Sequence, residues 1–291
     1  MTRSLVHRRA VLGAAAGLAL GSARVARGAG ADPPVLYVSH GSPLFLPGNE
    51  ARRAELQSWG ARLARPRGLV VMTPHYGVRH LELGHGGRGH ALYDLPGPIA
   101  RRLPTGLEYA TPPSDELARR VESLLGGPSA VARGDRSGFD HTTWMPLSCL
   151  FPAADVPTLE IAFPYVRDAE LFALGQRLAP LRDEGVLFVA SGQVTHNLAM
   201  FDPVGVVPGW ATEFDAWMAD RVAAENVDAL IDWRNKAPAV DLAHPDDGGH
   251  YRVLLVALGV ALGCARPARK VTFPVTGFEA TMSMRCVEMG E

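Results

Sequence analysis

The sequence predicts an α/β fold, in which a single domain has a central, mostly parallel sheet flanked by helices. Short apolar runs with glycine or proline at their borders are typical of buried strands in such a sheet. Segments with apolar residues at helical spacing alternate with these runs. The composition, 47% hydrophobic and 20% charged over 291 residues, is typical of a globular protein, and no repeat or linker interrupts it.

Four apolar runs are the predicted strands, at residues 35–39, 68–73, 158–163 and 185–190. The predicted helices lie between or after them, at residues 49–65, 114–125, 168–181, 209–225 and 250–263. The last of these is apolar nearly all round, which predicts a buried helix. Ser114 is the predicted cap of the second helix, because two acidic residues follow it.

Residues 1–30 have the pattern of a twin-arginine signal peptide, which leaves residues 31–291 as the folded domain. Arg8 and Arg9 precede an apolar stretch at residues 10–21, and small residues follow. Paired arginines are typical of the route that exports folded proteins, so we expect a periplasmic protein. A membrane span needs about 20 residues, so no stable span is expected after export. An uncleaved amphipathic helix or a membrane anchor is the alternative.

Charge and cysteine content exclude several classes of function. A net charge of −1 and the absence of a lysine or arginine run argue against a nucleic-acid partner. Cys149, Cys264 and Cys286 are far apart and form no CxxC motif. They indicate neither a thiolate metal site nor a disulfide framework, although one disulfide is open to an exported protein. Cys149 lies in an apolar run and is predicted to be buried.

Three histidines follow predicted strands, His40 and His75 directly and His196 a few residues later. Ligands of open α/β sheets bind beyond the carboxyl ends of the strands, so these side chains are expected at one edge of the sheet. Neutral imidazole is a common metal ligand, and its pKa suits acid–base chemistry near pH 7. Each histidine could instead cap a turn or a helix, or lie in a surface loop.

Three further histidines are candidates for the same site. His250 opens the predicted buried helix and His244 precedes it by six residues, so either could be a ligand. The helix dipole disfavours a protonated imidazole at that position, which favours the neutral, metal-binding form. His141 could orient or protonate a substrate, with Asp140 to hold it; the alternative is a structural loop residue.

Other motifs carry less information. His80, His85 and His90 lie at five-residue intervals in a glycine-rich segment, which is more typical of a solvated loop than of a metal site, although His90 could line a pocket. The chain has no GxSxG, P-loop or HExxH motif.

Six motifs, in this order, resemble those of the class III extradiol ring-cleavage dioxygenases, in the LigB-like branch that contains the 4,5-DOPA dioxygenase-like proteins. The resemblance covers nearly all of residues 35–286. The motifs are SHGSP at 39–43, PHY at 74–76, FDHTTWMPL at 139–147, SGQVTHN at 191–197, WATEFDAWM at 210–218 and AHPDDGGHYRVLLVALGVA at 243–261. TMSMR at 281–285 also fits.

The resemblance implies that His40, His75 and His250 hold a divalent metal. His250 is preferred over His244 because the family's ligand precedes a glycine by nine residues, as His250 precedes Gly259. Fe(II) is the metal expected for ring cleavage, and an all-histidine set could also hold Zn(II).

The resemblance also implies the remaining roles in a catalytic domain at residues 31–291. His196 corresponds to the catalytic acid–base residue, which some members count as a fourth metal ligand. His141 is expected to contact the substrate or oxygen. The expected reaction is cleavage of a small catecholic ring with O₂.

Two departures from the family pattern concern the pocket wall. Relatives commonly have AHW where this chain has Pro74-His75-Tyr76, and an acidic residue where it has Gly249. Neither removes a ligand, but both leave the substrate unassigned. An exported metal-binding protein and a zinc hydrolase on the same fold are the alternative functions. The oligomeric state and the cleavage position are not predicted.

Overall fold

An eight-stranded sheet forms the centre of the part of the chain that the computed structural model describes. The described residues are 32–43, 48–84, 86–92, 95, 101, 108–136, 138–202 and 204–290. The predicted signal peptide at residues 1–30 and His85 lie outside them. Among the described residues, no helix is both long and apolar enough to cross a membrane.

The strands supply one large sheet and one small one. In chain order they are β1 (Val35–Ser39), β2 (Gly68–Val78), β3 (Glu82–Leu83), β4 (Ala132–Arg133), β5 (Thr158–Pro164), β6 (Val186–Gly192), β7 (Lys270–Thr272), β8 (Phe278–Glu279), β9 (Met282–Ser283) and β10 (Val287–Gly290). The large sheet has the order β4-β3-β5-β2-β6-β1-β10-β7, and β8 pairs with β9 separately.

The four central strands, β5, β2, β6 and β1, are parallel, as predicted. Antiparallel β10 and β7 extend the sheet beyond β1. On the other side β3 is antiparallel to β5, and β4 is parallel to β3. The edge strands of the sheet were not predicted, because β3, β4 and β7 are short and lack a buried apolar run.

Helices cover both faces of the sheet. They are α1 (Glu50–Gly60), α2 (Asp115–Leu124), α3 (His141–Leu150), α4 (Asp168–Leu178), α5 (Pro180–Asp183), α6 (Gly209–Ala223), α7 (Val227–Ile231), α8 (Trp233–Lys236), α9 (Val240–Ala243) and α10 (Gly249–Gly263). Each predicted helix overlaps an observed one. Ser114 occupies the N-cap position of α2, although its hydroxyl makes no capping hydrogen bond.

Helix α3 was missed by the sequence prediction. Its residues are mostly buried, so it lacks the polar face that gives a helix its periodic pattern, and it contains Pro146. The helix matters for function because His141 is its first residue.

The sheet is buried on both faces, so successive residues of β1 enter different cores. Val35 and Tyr37 join the core that contains α10 and α4, whereas Leu36 and Val38 join the core that contains α1 and α3. This explains why the central strands are continuous apolar runs rather than alternating ones. The cysteines are free and buried, which confirms the prediction for Cys149.

Two glycines bring α10 and α4 into backbone contact. A Cβ atom on Gly259 would lie 2.1 Å from the Phe172 carbonyl oxygen, and one on Gly175 would lie 2.1 Å from the Val256 carbonyl oxygen. A side chain larger than hydrogen at either position would therefore force the helices apart. The contact fixes α10, whose first turn carries His250.

Candidate metal centre

The structure brings His40, His75 and His250 together at one edge of the sheet. Their ligand nitrogens all lie within 4.8 Å of one another. His40 directly follows β1 and His250 is the second residue of α10. His75 lies inside β2 rather than after it, because the strand continues to Val78. The pairing of β2 with β5 shifts register between Thr73 and Gly77, and His75 lies in this irregular stretch.

The spacing of the three imidazoles suits a single metal ion. Two nitrogens bound to one metal at about 2.1 Å lie about 3.0–3.4 Å apart in octahedral or tetrahedral geometry. Nε2 of His75 and Nε2 of His250 are 3.3 Å apart. The ring of His40 completes the set, at centroid distances of 5.7 Å from His75 and 5.3 Å from His250.

A hydrogen bond fixes the tautomer of His40. The Ser191 hydroxyl donates to the Thr142 carbonyl oxygen at 2.5 Å, so its oxygen can accept from Nδ1–H of His40 at 3.1 Å. The lone pair of His40 is then on Nε2. Partners of this kind commonly orient a metal-binding histidine and strengthen its donor atom.

Burial keeps two of the three imidazoles neutral. It lowers the pKa of His40 and of His250 well below the ordinary value of 6.5, and neighbouring imidazoles lower both further. Binding a cation therefore displaces few protons from these two side chains at neutral pH. His75 is exposed, so the third side of the set faces solvent and is open to a ligand.

His196 lies against His250, beside the set of three. The two rings stack at a centroid distance of 3.6 Å with an interplanar angle of 12°. The ligand atoms of His196, Asp246 and His250 also lie within 4.8 Å of one another, so His196 is a candidate donor beside the set of three. Nδ1 of His196 is 3.7 Å from a carboxylate oxygen of Asp246.

His141 lies beside His75. Its ring centroid is 4.9 Å from that of His75. The Asp140 carboxylate caps α3 by accepting from the Thr142 N–H, and it also accepts from Arg136 at 2.6 Å. Asp140 thus fixes the start of the helix that carries His141.

His244 is not a member of the set. His244 is buried among the rings of Phe214, Trp233 and Tyr251. Its Nε2 is 2.8 Å from the Val194 carbonyl oxygen, to which it donates. Of the two candidates at this helix, His250 and not His244 lies in the cluster with His40 and His75. His80 and His90 are exposed.

Sequence reasoning missed Ser191 and Asp246 as supporting residues. Ser191 was part of the small, polar segment after a strand, but nothing in the sequence links it to His40. Asp246 precedes the glycine pair of residues 248–249, where a carboxylate is as typical of a turn as of a functional site.

Comparisons with known proteins agree with the motif resemblance. The family described as "Catalytic LigB subunit of aromatic ring-opening dioxygenase" matches residues 34–281. A 4,5-DOPA dioxygenase extradiol of Beta vulgaris is 32% identical over 233 residues, which span 77% of this chain and 85% of the relative. The Escherichia coli K12 protein of the same description is 31% identical over 281 residues, 88% of this chain and 94% of the relative.

The fold has a solved counterpart. A crystal structure described as an uncharacterized protein of Escherichia coli K12 is 30% identical to this chain, with a TM-score of 0.71. The alignment covers 89% of this chain and all of the other. The similarity therefore extends over the fold as well as the motifs.

Buried neutral histidines predict a loss of stability in mild acid. Burial lowers the pKa of His244 to about 4, so the unfolded chain binds protons more readily than the folded chain below pH 6.5. We expect the metal-free protein to lose on the order of 2 kcal/mol between pH 7 and pH 5 from this residue. Urea unfolding at both pH values would measure the loss.

The matched control is His244→Gln, which can still donate to Val194 but does not titrate. Its stability should fall less than that of the parent between pH 7 and pH 5. Equal losses in the two proteins would contradict the assignment to His244.

Proposed function

The chain belongs to the LigB family of aromatic ring-opening dioxygenases, and we propose that it is a metal-dependent extradiol dioxygenase that cleaves a catecholic ring with O₂. The observation that carries this proposal is the set formed by His40, His75 and His250, whose ligand nitrogens lie within 4.8 Å of one another. A set of three nitrogen donors on one side of a metal leaves positions for a chelating substrate and for oxygen.

The proposed metal is Fe(II), held by His40, His75 and His250. A bound Fe(II) would supply the redox chemistry with O₂ that a catechol alone lacks, whereas Zn(II) would supply only Lewis-acid chemistry. The donors are neutral, so the site is more positive by about one charge than a site with two histidines and a carboxylate. That extra charge favours an anionic, deprotonated catechol.

The two flanking histidines are proposed to act on the substrate. Nδ1 of His196 faces Asp246, which leaves Nε2 as the atom that can take a proton from a catechol hydroxyl or return one. His141 lies beside His75, where it can donate a hydrogen bond to the substrate or to oxygen. A catechol would enter on the exposed side of the set, at His75.

Replacement of His40 or His250 by alanine should abolish metal binding and oxygen uptake. Each provides a buried nitrogen of the set, so metal content should fall to about a tenth of the parent value or less in anaerobically purified protein. Elemental analysis and an oxygen electrode would measure both quantities. The catechol panel should include DOPA, because several relatives are described as 4,5-DOPA dioxygenases.

The control is His80→Ala, which changes an exposed histidine outside the set and should leave both measurements unchanged. A His40→Ala protein that keeps its metal would refute the ligand assignment. A parent protein that holds zinc alone and consumes no oxygen with any catechol would point to a zinc hydrolase or a metal-binding protein.

His196→Gln should separate catalysis from metal binding. General acid–base assistance is typically worth about 10²–10⁴-fold, so kcat should fall by that range while metal content stays at the parent level. Loss of the metal in this variant would instead make His196 a ligand. Steady-state oxygen uptake with paired elemental analysis would distinguish the two results.

The protein is also proposed to be exported to the periplasm by the twin-arginine route. What supports this is the order of Arg8-Arg9, an apolar stretch and small residues in the first 30 residues. Changing both arginines to lysine should retain the protein in the cytoplasmic fraction of a bacterium that has this route. Fractionation and the mass of the exported chain would measure export and cleavage; unchanged export would contradict it.

A further inference from the structure

We infer that Gln193 is a positioning residue that holds the backbones around His40 and His250 at the spacing a metal requires, an inference that rests on the metal centre proposed above. Gln193 follows β6 directly and its side chain is fully buried. It is hydrogen-bonded to the His40 segment, to the His250 segment and to a third segment near the end of the chain.

The backbone of Gln193 holds the His250 segment. Its N–H donates to the His250 carbonyl oxygen at 3.0 Å, and the Tyr37 hydroxyl donates to the same oxygen at 3.0 Å. A Cβ atom on Gly192 would lie 2.1 Å from that oxygen, so the preceding glycine is what allows the approach. The first turn of α10 is thereby attached to the end of β6.

The side chain of Gln193 holds the His40 segment. The Gly41 N–H donates to Oε1 of Gln193 at 2.9 Å, and the His40 N–H donates to the Gly192 carbonyl oxygen at 3.0 Å. Gly41 has a φ of +72°, which places the chain in a sharp turn directly after His40. The peptide on each side of His40 is therefore bound to residues 192–193.

A third contact orients the amide of Gln193. Its Nε2 donates to the Ser283 carbonyl oxygen, which leaves Oε1 directed at Gly41. Ser283 is held in turn, because its hydroxyl donates to Asp215 at 2.5 Å and its N–H donates to Thr195 at 2.8 Å. The side chain at this position must accept from Gly41 and donate to Ser283. An amide can do both, whereas a carboxylate can only accept.

Removing this side chain would leave the Gly41 N–H and the Ser283 carbonyl buried without their partner. The turn after His40 would then be free to shift, and nitrogens that must lie a few ångströms apart would lose their spacing. We expect weaker metal binding and an altered ligand geometry, in addition to any loss of stability.

The test compares Gln193→Met with Thr158→Val in the full chain, using Co(II) as the probe. Both substitutions are close in size to the residue replaced and both remove buried side-chain hydrogen bonds. Thr158 begins β5, however, and its hydroxyl donates to the Val156 carbonyl oxygen rather than to a segment that carries a ligand. Co(II) affinity should fall about 10–100-fold in Gln193→Met, with changed visible ligand-field bands, and less than about threefold in Thr158→Val.

Gln193→Glu gives a second measurement should Gln193→Met fail to fold. It keeps the acceptor for Gly41 and loses the donor to Ser283, so its Co(II) affinity should lie between those of the parent and Gln193→Met, and below that of Thr158→Val. Parent-like affinity and bands in the Gln193 variants, or an equal loss in Thr158→Val, would overturn the positioning role. A parent protein that binds no Co(II) would overturn the metal centre itself.

Discussion

The N-terminus of α10 lies against the end of β6, and the geometry of the site depends on how closely the two backbones approach. The His250 carbonyl oxygen accepts from Gln193 and from Tyr37, and Gly192 leaves room for it. At the other side of the helix, Gly175 and Gly259 allow contact with α4. A long buried helix clamped at these points is rigid enough to present an imidazole at a fixed position beside two strand-borne partners.

Burial gives this arrangement its electrostatic character. The imidazoles of His40 and His250 are buried and remain neutral at neutral pH. They therefore bind protons weakly and keep a lone pair available for a metal cation. Exposed His75 leaves one side accessible. The buried imidazoles of His40 and His250 thus favour binding of a cation, and the exposed side at His75 leaves room for a substrate to reach it.

Much of the fold could be predicted from the sequence, because the central strands and α10 are long apolar segments whose environment decides their composition. Helix α3 could not, since burial all round removes its periodicity. The predicted strand ends were correct for the strands that precede His40 and His196. The strand before His75 was predicted to end at residue 73, but β2 continues through an irregular stretch to Val78, so His75 lies inside it. The roles of Ser191, Gln193 and Asp246 depend on contacts between distant segments, which no local pattern encodes.

The contacts of residues 281–285 have a consequence for when the site can form. Ser283 orients Gln193, and Thr281 accepts from Thr195, just before His196. All five histidines at the site precede these residues in the sequence. A chain that ended before residue 281 would therefore carry the histidines without the contact that orients Gln193.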